Sequence, residues 1–233
     1  MKSALRDHPS ILAGPSGTEP AWLRFGPLMR SGGVAVYDAS GDWQLAGICA
    51  EAHLNYATAD RQVCDVLSGD DWDWRGGVPP RQLSSAGGGP AQDAYYHSLE
   101  LRSFLSELCG GPIRPSGGRG SYSYYVEPGD HLGLHLDILT CDLTVITVLT
   151  DSCPDDGGSL AVLRNAVGVP LSVLRRSHGL HEEVVKAPAG SMVVILGGIV
   201  PHRVLPITSI GQRVISALCF EAAAQVAGVN RGS

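Results

Sequence analysis

The sequence predicts a mainly β protein, a jelly roll with N-terminal helices packed on it, and three observations predict it. From Arg119 onward apolar residues recur with a period of two in short runs bounded by turn residues: "SYSYYVEPG", "HLGLHLDI", "LTVITVLTD", "GGSLAVL", "SMVVIL", "VLPIT" and "RVISALCFE". The 30 glycines and 15 prolines in 233 residues supply the turns that so many short strands require. Helical periodicity is confined to the part of the chain before Pro112, so the β-rich part folds on itself and the helices lie against it.

The elements then follow in order. Residues 1–112 read as a mixed α/β extension, 113–222 as the jelly-roll core and 223–233 as a flexible tail, the whole being one folded unit. "GGVAVYD" (32–38) is strand-like, and "LAGICAEAHLNYATADRQVCDVL" (45–67) has helical character. "SGDDWDWRGGVPPRQLSSAGGGP" (68–90) reads as a long loop whose Trp72 and Trp74 anchor it to the core or form a lid. The clearest helix is "AQDAYYHSLELRSFLSELCGG" (91–111). There Ala94, Ser98, Leu101, Leu105 and Leu108 recur every three or four residues, and Gly110-Gly111-Pro112 supplies a stop.

Composition narrows the function. With 44% hydrophobic and 17% charged residues the chain is that of a folded protein with a sizeable core. A net charge of -6 provides no basic field for a phosphate backbone, so nucleic acid is not an expected partner. Membrane attachment is not expected either. No apolar run approaches the ~20 residues of a spanning helix, and Asp7, His8 and Pro9 interrupt the N-terminal stretch where a signal peptide would be apolar. Six scattered cysteines without a CxxC pair read as reduced, mostly buried thiols, Cys141 among them, in a cytoplasmic protein.

The chemistry concentrates in "YVEPGDHLGLHLDI" (125–138), a strand-like run carrying two histidines and two aspartates. Strict alternation places His131, Gly133, His135 and Asp137 on one face and Leu132, Leu134 and Leu136 on the other. Buried unpaired His and Asp are costly, and a metal ion relieves that cost for both. His135 and Asp137 lie about 6.6 Å apart along a strand rising ~3.3 Å per residue, within reach of one ion. His131, ~13 Å away from His135 on the same rise, is too far to join them and reads as a rim residue or an entrance to a substrate pocket. His202 in "GGIVPHRVLP" is the best third donor. Two histidines and a carboxylate on one side of an octahedron are the ligand set of non-haem Fe(II) oxygenases. The bland alternative for His135 and Asp137 alone is a hydrogen-bonded pair in a polar strand. His53, His97, His178 and His181 have no second donor at metal spacing and read as surface or structural residues.

With "HLD", "GGSL" (157–160), a His 65 residues after Asp137 and an Arg eleven residues after that His, the segment Tyr122–Glu221 resembles the Fe(II)- and 2-oxoglutarate-dependent dioxygenases, closest in pattern to their prolyl-hydroxylase-like branch. The resemblance implies a double-stranded β-helix core and iron held by His135, Asp137 and His202. It implies that Arg213 binds the distal carboxylate of 2-oxoglutarate, as a planar guanidinium suits a buried carboxylate, with Tyr125 hydrogen-bonding the same group. Tyr124 lies on the opposite face, and Ser216, three residues after Arg213, lies across the strand from it. Some members carry a Tyr in the strand occupied by "TVITVLT"; this sequence has none there.

In that family, members that halogenate have a small residue at this position, so the resemblance implies that a chain with Asp137 hydroxylates or otherwise oxidises a C–H bond. The expected reaction consumes O2 and 2-oxoglutarate, releases succinate and CO2, and oxidises a C–H bond. A small molecule such as an amino acid or specialised metabolite is the expected substrate. A peptidyl or prolyl side chain, or a non-catalytic jelly roll that senses iron or a dicarboxylate, are the alternatives. The oligomeric state is left open.

Overall fold

A computed structural model describes residues 21–64, 78–118, 120–138, 140–151, 157–177 and 180–223. Trp72, Trp74, His178 and the expected tail from 224 lie outside the described residues. In chain order the elements are α1 (Ala21–Phe25), α2 (Pro27–Arg30), β1 (Val34–Asp38), α3 (Trp43–Asn55), β2 (Asp60–Cys64), β3 (Arg81–Gly87), α4 (Pro90–Tyr96), α5 (Leu99–Cys109), β4 (Ile113–Pro115) and β5 (Ser121–Tyr125). They continue as β6 (His131–His135), β7 (Leu143–Asp151), β8 (Leu160–Val162), α6 (Leu171–Arg176), β9 (Glu183–Val185), β10 (Ser191–Ile195), β11 (His202–Val204) and β12 (Arg213–Ala222).

All twelve strands belong to one curled antiparallel sheet in the order β1-β10-β7-β12-β5-β3-β6-β11-β8-β9, with β2 added on β3 and β4 on β12. This is the expected jelly roll. One half, β10-β7-β12-β5, carries the N-terminal helices α3 and α4, and β3 joins it to the other, β6-β11-β8-β9, on which α6 lies.

The first half is held to the helices by its alternate residues. Val214, Ser216, Leu218 and Phe220 of β12, with Tyr122 and Tyr124 of β5, are all buried. Phe220 meets Tyr96 of α4 edge-on at 4.9 Å, Tyr124 donates to the carbonyl of Ala52 in α3 at 2.7 Å, and Gln92 of α4 donates to Ser216 at 2.7 Å. Glu51 of α3 binds the helices to one another. Its carboxylate accepts from the backbone N–H groups of Gly89, Ala91 and Gln92 at the start of α4 and from the Tyr122 hydroxyl, satisfying donors that a helix start leaves without partners. On the other half, Leu134 and Leu136 form a separate cluster with Leu163, Ala166, Leu171 and Leu174 beneath α6.

Three local expectations are corrected. The helical reading of 45–67 holds only to Asn55, after which a 3₁₀ turn leads into β2. The loop reading of 68–90 gives way to β3, which pairs β5 and β6 and so joins the two halves. The single helix expected over 91–111 is two. Ser98 accepts from the N–H of Leu101 as the N-cap of α5 rather than serving its apolar face, and Gly110, at φ +82°, ends that helix in the left-handed conformation glycine adopts without strain.

Strict alternation through β6 also fails. His202 pairs His135, but two residues on, Val204 pairs Leu132, so β6 contains one extra residue. Leu132 therefore shares the face of His135 and packs on the main core, while Leu134 faces α6. His131 falls on the opposite face from His135, paired with Gln82 and bonded to the carbonyl of Gly129 at 2.8 Å. Asp130 is the second aspartate of the run and is structural. Buried in the β5–β6 turn, it accepts from the N–H groups of Val126 and Glu127 and holds Arg61 of β2 through both oxygens, at 2.6 and 3.1 Å.

Candidate metal centre and carboxylate site

His135 ends β6, His202 begins β11, and direct pairing of the two residues brings their rings to 4.2 Å, centroid to centroid. Asp137 lies beyond the end of β6, where its N–H donates to the carbonyl of Gly197 at 2.8 Å. Oδ1 of Asp137 is 3.6 Å from Nε2 of His135 and 3.6 Å from Nε2 of His202. One ligand atom from each residue lies within 4.8 Å of the other two, a grouping that can hold one metal ion.

The surroundings prepare these atoms for a cation. Nδ1 of His135 is 2.8 Å from the carbonyl of Gly133, and Nδ1 of His202 is 2.9 Å from that of Val200. A carbonyl accepts only, so each Nδ1 carries the proton and each neutral Nε2 keeps its lone pair for the shared space. The Thr144 hydroxyl of β7 donates to Oδ2 of Asp137, leaving Oδ1 for the same space.

Burial alone would raise the pKa of Asp137. The charge of His202 and the contacts of His135 and Thr144 outweigh it and hold this carboxyl below the ordinary carboxylate range. Burial, and then His135, depress His202 to about 4, with Asp137 and the Val200 carbonyl opposing. Both groups thus stay in their ligating forms through neutral pH.

Two glycines make room for the turn. A Cβ on Gly197 would lie 1.7 Å from Oδ2 of Asp137, and one on Gly198 would lie 2.9 Å from the carbonyl oxygen of Cys141. The "GG" before His202 therefore serves close packing against the Asp137 turn.

Arg213, first in β12, is in register with Tyr125 on one side and Asp151 on the other, so all three side chains share one face of the sheet. Val214 and Ser216 lie on the other face, as the odd spacing requires, and so does Tyr124. Burial, with Asp130 adding to it, raises the Tyr125 phenol well above its usual value despite nearby Arg213, so it remains a hydrogen-bond donor. NH1 of Arg213 donates to Oδ2 of Asp151 at 2.7 Å, with both side chains under a tenth exposed. The "GGSL" motif passes over the stem of this arginine. Gly158, at φ +70°, would place a Cβ 3.1 Å from Cδ of Arg213.

Sequence reasoning missed Thr144, Gly197 and Asp151. A threonine and an aspartate in "LTVITVLTD" read as ordinary strand and turn residues, and only strand pairing shows what they face. His53, His97 and His181 are exposed. The cysteines differ from expectation: Cys141 and Cys219 form a disulfide, with Cα atoms 5.0 Å apart. Pairing of Cys219 with Thr144 brings β12 beside the Asp137 turn. Cys49 and Cys109 are free thiols.

No family model matches the sequence, and a search of curated proteins found no match either. Solved structures do match. A prolyl-4-hydroxylase from Pseudomonas putida aligns with TM-score 0.56 and 18% identity over 87% of this chain and 100% of its own. The α-ketoglutarate-dependent epimerase SnoN of nogalamycin biosynthesis aligns with TM-score 0.63 and 14% identity over 88% of this chain and 82% of its own. HygX from Streptomyces hygroscopicus, solved with nickel and 2-oxoglutarate, aligns with TM-score 0.55 and 14% identity over 82% and 83%. The chain has the fold of the 2-oxoglutarate- and Fe(II)-dependent oxygenases, prolyl hydroxylases included. Among the described residues no helix is long and apolar enough to cross a membrane.

Proposed function

We propose that this protein is an Fe(II)- and 2-oxoglutarate-dependent oxygenase that oxidises, most simply hydroxylates, an unactivated C–H bond of a small molecule. The observation that carries the reading is the convergence of Nε2 of His135, Nε2 of His202 and Oδ1 of Asp137 on one space, each with its other polar atom already bonded. Two neutral imidazoles and a carboxylate suit Fe(II) and leave coordination positions open. Iron bound there would supply the redox chemistry that couples decarboxylation of 2-oxoglutarate by O2 to oxidation of the substrate.

The chain's own residues do the rest. Arg213 and Tyr125 present a cation and a hydroxyl donor on one buried face, which suits the distal carboxylate of the cosubstrate. Thr144 and the Gly133 and Val200 carbonyls fix the ligand orientations. A small-molecule substrate accords with the acidic net charge of -6, and SnoN, a fold neighbour, belongs to nogalamycin biosynthesis.

The test is anaerobic titration of metal-free protein with Fe(II) and 2-oxoglutarate, observing the visible charge-transfer absorption of a keto acid chelated to ferrous iron, with Asp137→Ala and Arg213→Ala alongside. A band weakened in both variants, followed by succinate release in air, is the expected result. Iron binding without the band would end the 2-oxoglutarate reading; a band without succinate would leave a sensor.

A further inference from the structure

Arg213 meets a carboxylate of the chain itself. Its NH1 is 2.7 Å from Oδ2 of Asp151, and the side chains are 8% and 5% exposed. Two consequences follow for a second carboxylate. NH1 of the guanidinium is already engaged, so its NH1/NH2 edge is not fully open to the newcomer. The ion pair is already neutral, so a further carboxylate brings an uncompensated negative charge into a buried place beside another carboxylate.

One partner must yield, and the packing indicates which. The Arg213 stem is wedged beneath Gly158, where even a Cβ would come within 3.1 Å of Cδ of Arg213 and 3.3 Å of Cγ1 of Ile207, and Ile207 is itself buried. Asp151 is the last residue of β7, and its short side chain leaves the guanidinium by rotation about one bond.

We infer that Asp151 is the resident counter-ion of Arg213, and that the distal carboxylate of an incoming keto acid exchanges with it on the guanidinium rather than adding to it. The inference rests on the proposed cosubstrate reading. Asp151 then sets how strongly the site prefers a dicarboxylate to a monocarboxylate. It keeps the cation neutralised while the site is empty, and it weakens dicarboxylate binding by competing for the same donors.

The experiment is calorimetric binding of 2-oxoglutarate and of pyruvate, which has the keto acid but no distal carboxylate, to the full chain loaded with Ni(II) to prevent turnover. Wild type, Asp151→Asn and Arg213→Ala are compared. Asp151→Asn should tighten 2-oxoglutarate about tenfold, the scale of one contested charge-assisted hydrogen bond, and leave pyruvate within about twofold. A purely structural role would move both ligands together. Unchanged or weaker 2-oxoglutarate binding in Asp151→Asn, while Arg213→Ala still abolishes the preference over pyruvate, would overturn the exchange and spare the cosubstrate reading. No loss of preference in Arg213→Ala would sink both. A structure of the wild-type 2-oxoglutarate complex needs no variant: the exchange requires the Asp151–Arg213 contact to be broken there, and its retention refutes it.

Discussion

The side chain of Asp137 occupies the space that a side chain on Gly197 would need. The two residues are joined by a hydrogen bond from the Asp137 N–H to the Gly197 carbonyl at 2.8 Å, and a Cβ on Gly197 would lie 1.7 Å from Oδ2 of Asp137 and 3.0 Å from Oγ1 of Thr144. Gly197→Ala should therefore push the carboxylate off Thr144 and away from the two imidazoles. The expected outcome is a loss of metal affinity of about tenfold or more, the scale seen when groups supporting a ligand are disturbed. The fold should persist, because the atom met first is the end of a side chain rather than backbone. Metal titration followed by circular dichroism checks both, and undiminished affinity would show that the turn adapts.

The depressed pKa of His202 makes the metal-free protein sensitive to acid. The unfolded chain takes up a proton near the ordinary value of 6.5, whereas the folded chain resists until about 4. Between those values the unfolded state holds more protons, so stability falls as pH falls. The shift corresponds to roughly 3 kcal/mol across that window at 1.36 kcal/mol per pH unit. Asp137, also depressed, contributes in the same direction, but only below the unfolded carboxyl value of 3.8. Urea midpoints of metal-free protein should drop from pH 7 to pH 4.5, and His202→Gln should flatten the profile. Parallel profiles for the two proteins would assign the acid sensitivity elsewhere.

The Cys141–Cys219 disulfide closes a loop across 78 positions of sequence. In the chain-entropy account a cross-link of this span stabilises by up to about 4.5 kcal/mol. Reduction, or Cys219→Ser, should lower the denaturation midpoint accordingly. Because Sγ of Cys141 is 3.1 Å from the Thr144 hydroxyl that bonds Asp137, it should also weaken metal binding. Equal midpoints with and without reductant would mean that the bridge adds nothing to the folded state.

Much of the architecture was legible because it rests on local pattern. The period of two after Arg119 announces strands, and His202 and Arg213 stand at informative distances from His135 and Asp137 along the chain. What the sequence hid depends on pairing between distant segments. Cys219 meets Cys141 only because β12 lies on β7. Asp151 meets Arg213 for the same reason, although "TVLTD" reads as a strand running into a turn. Ser98 fell on an apolar stripe, and only the break between α4 and α5 shows it as a cap. Loop readings suffered most where β3 replaced part of the 68–90 segment, since a strand flanked by Gly and Pro carries a weak periodic signal.

The extra residue in β6 gives the metal centre a dependence on chain length as well as on chemistry. His135 faces His202, and Leu132 faces Val204, because three steps on one strand are matched to two on the other. Deleting one residue at Gly133–Leu134 would leave every ligand type in the sequence, yet restore uniform alternation and rotate either His135 or Leu132 out of the interior. The site is thus framed by a count, much as a reading frame is. The intervening residues matter through their number even where their side chains touch no ligand.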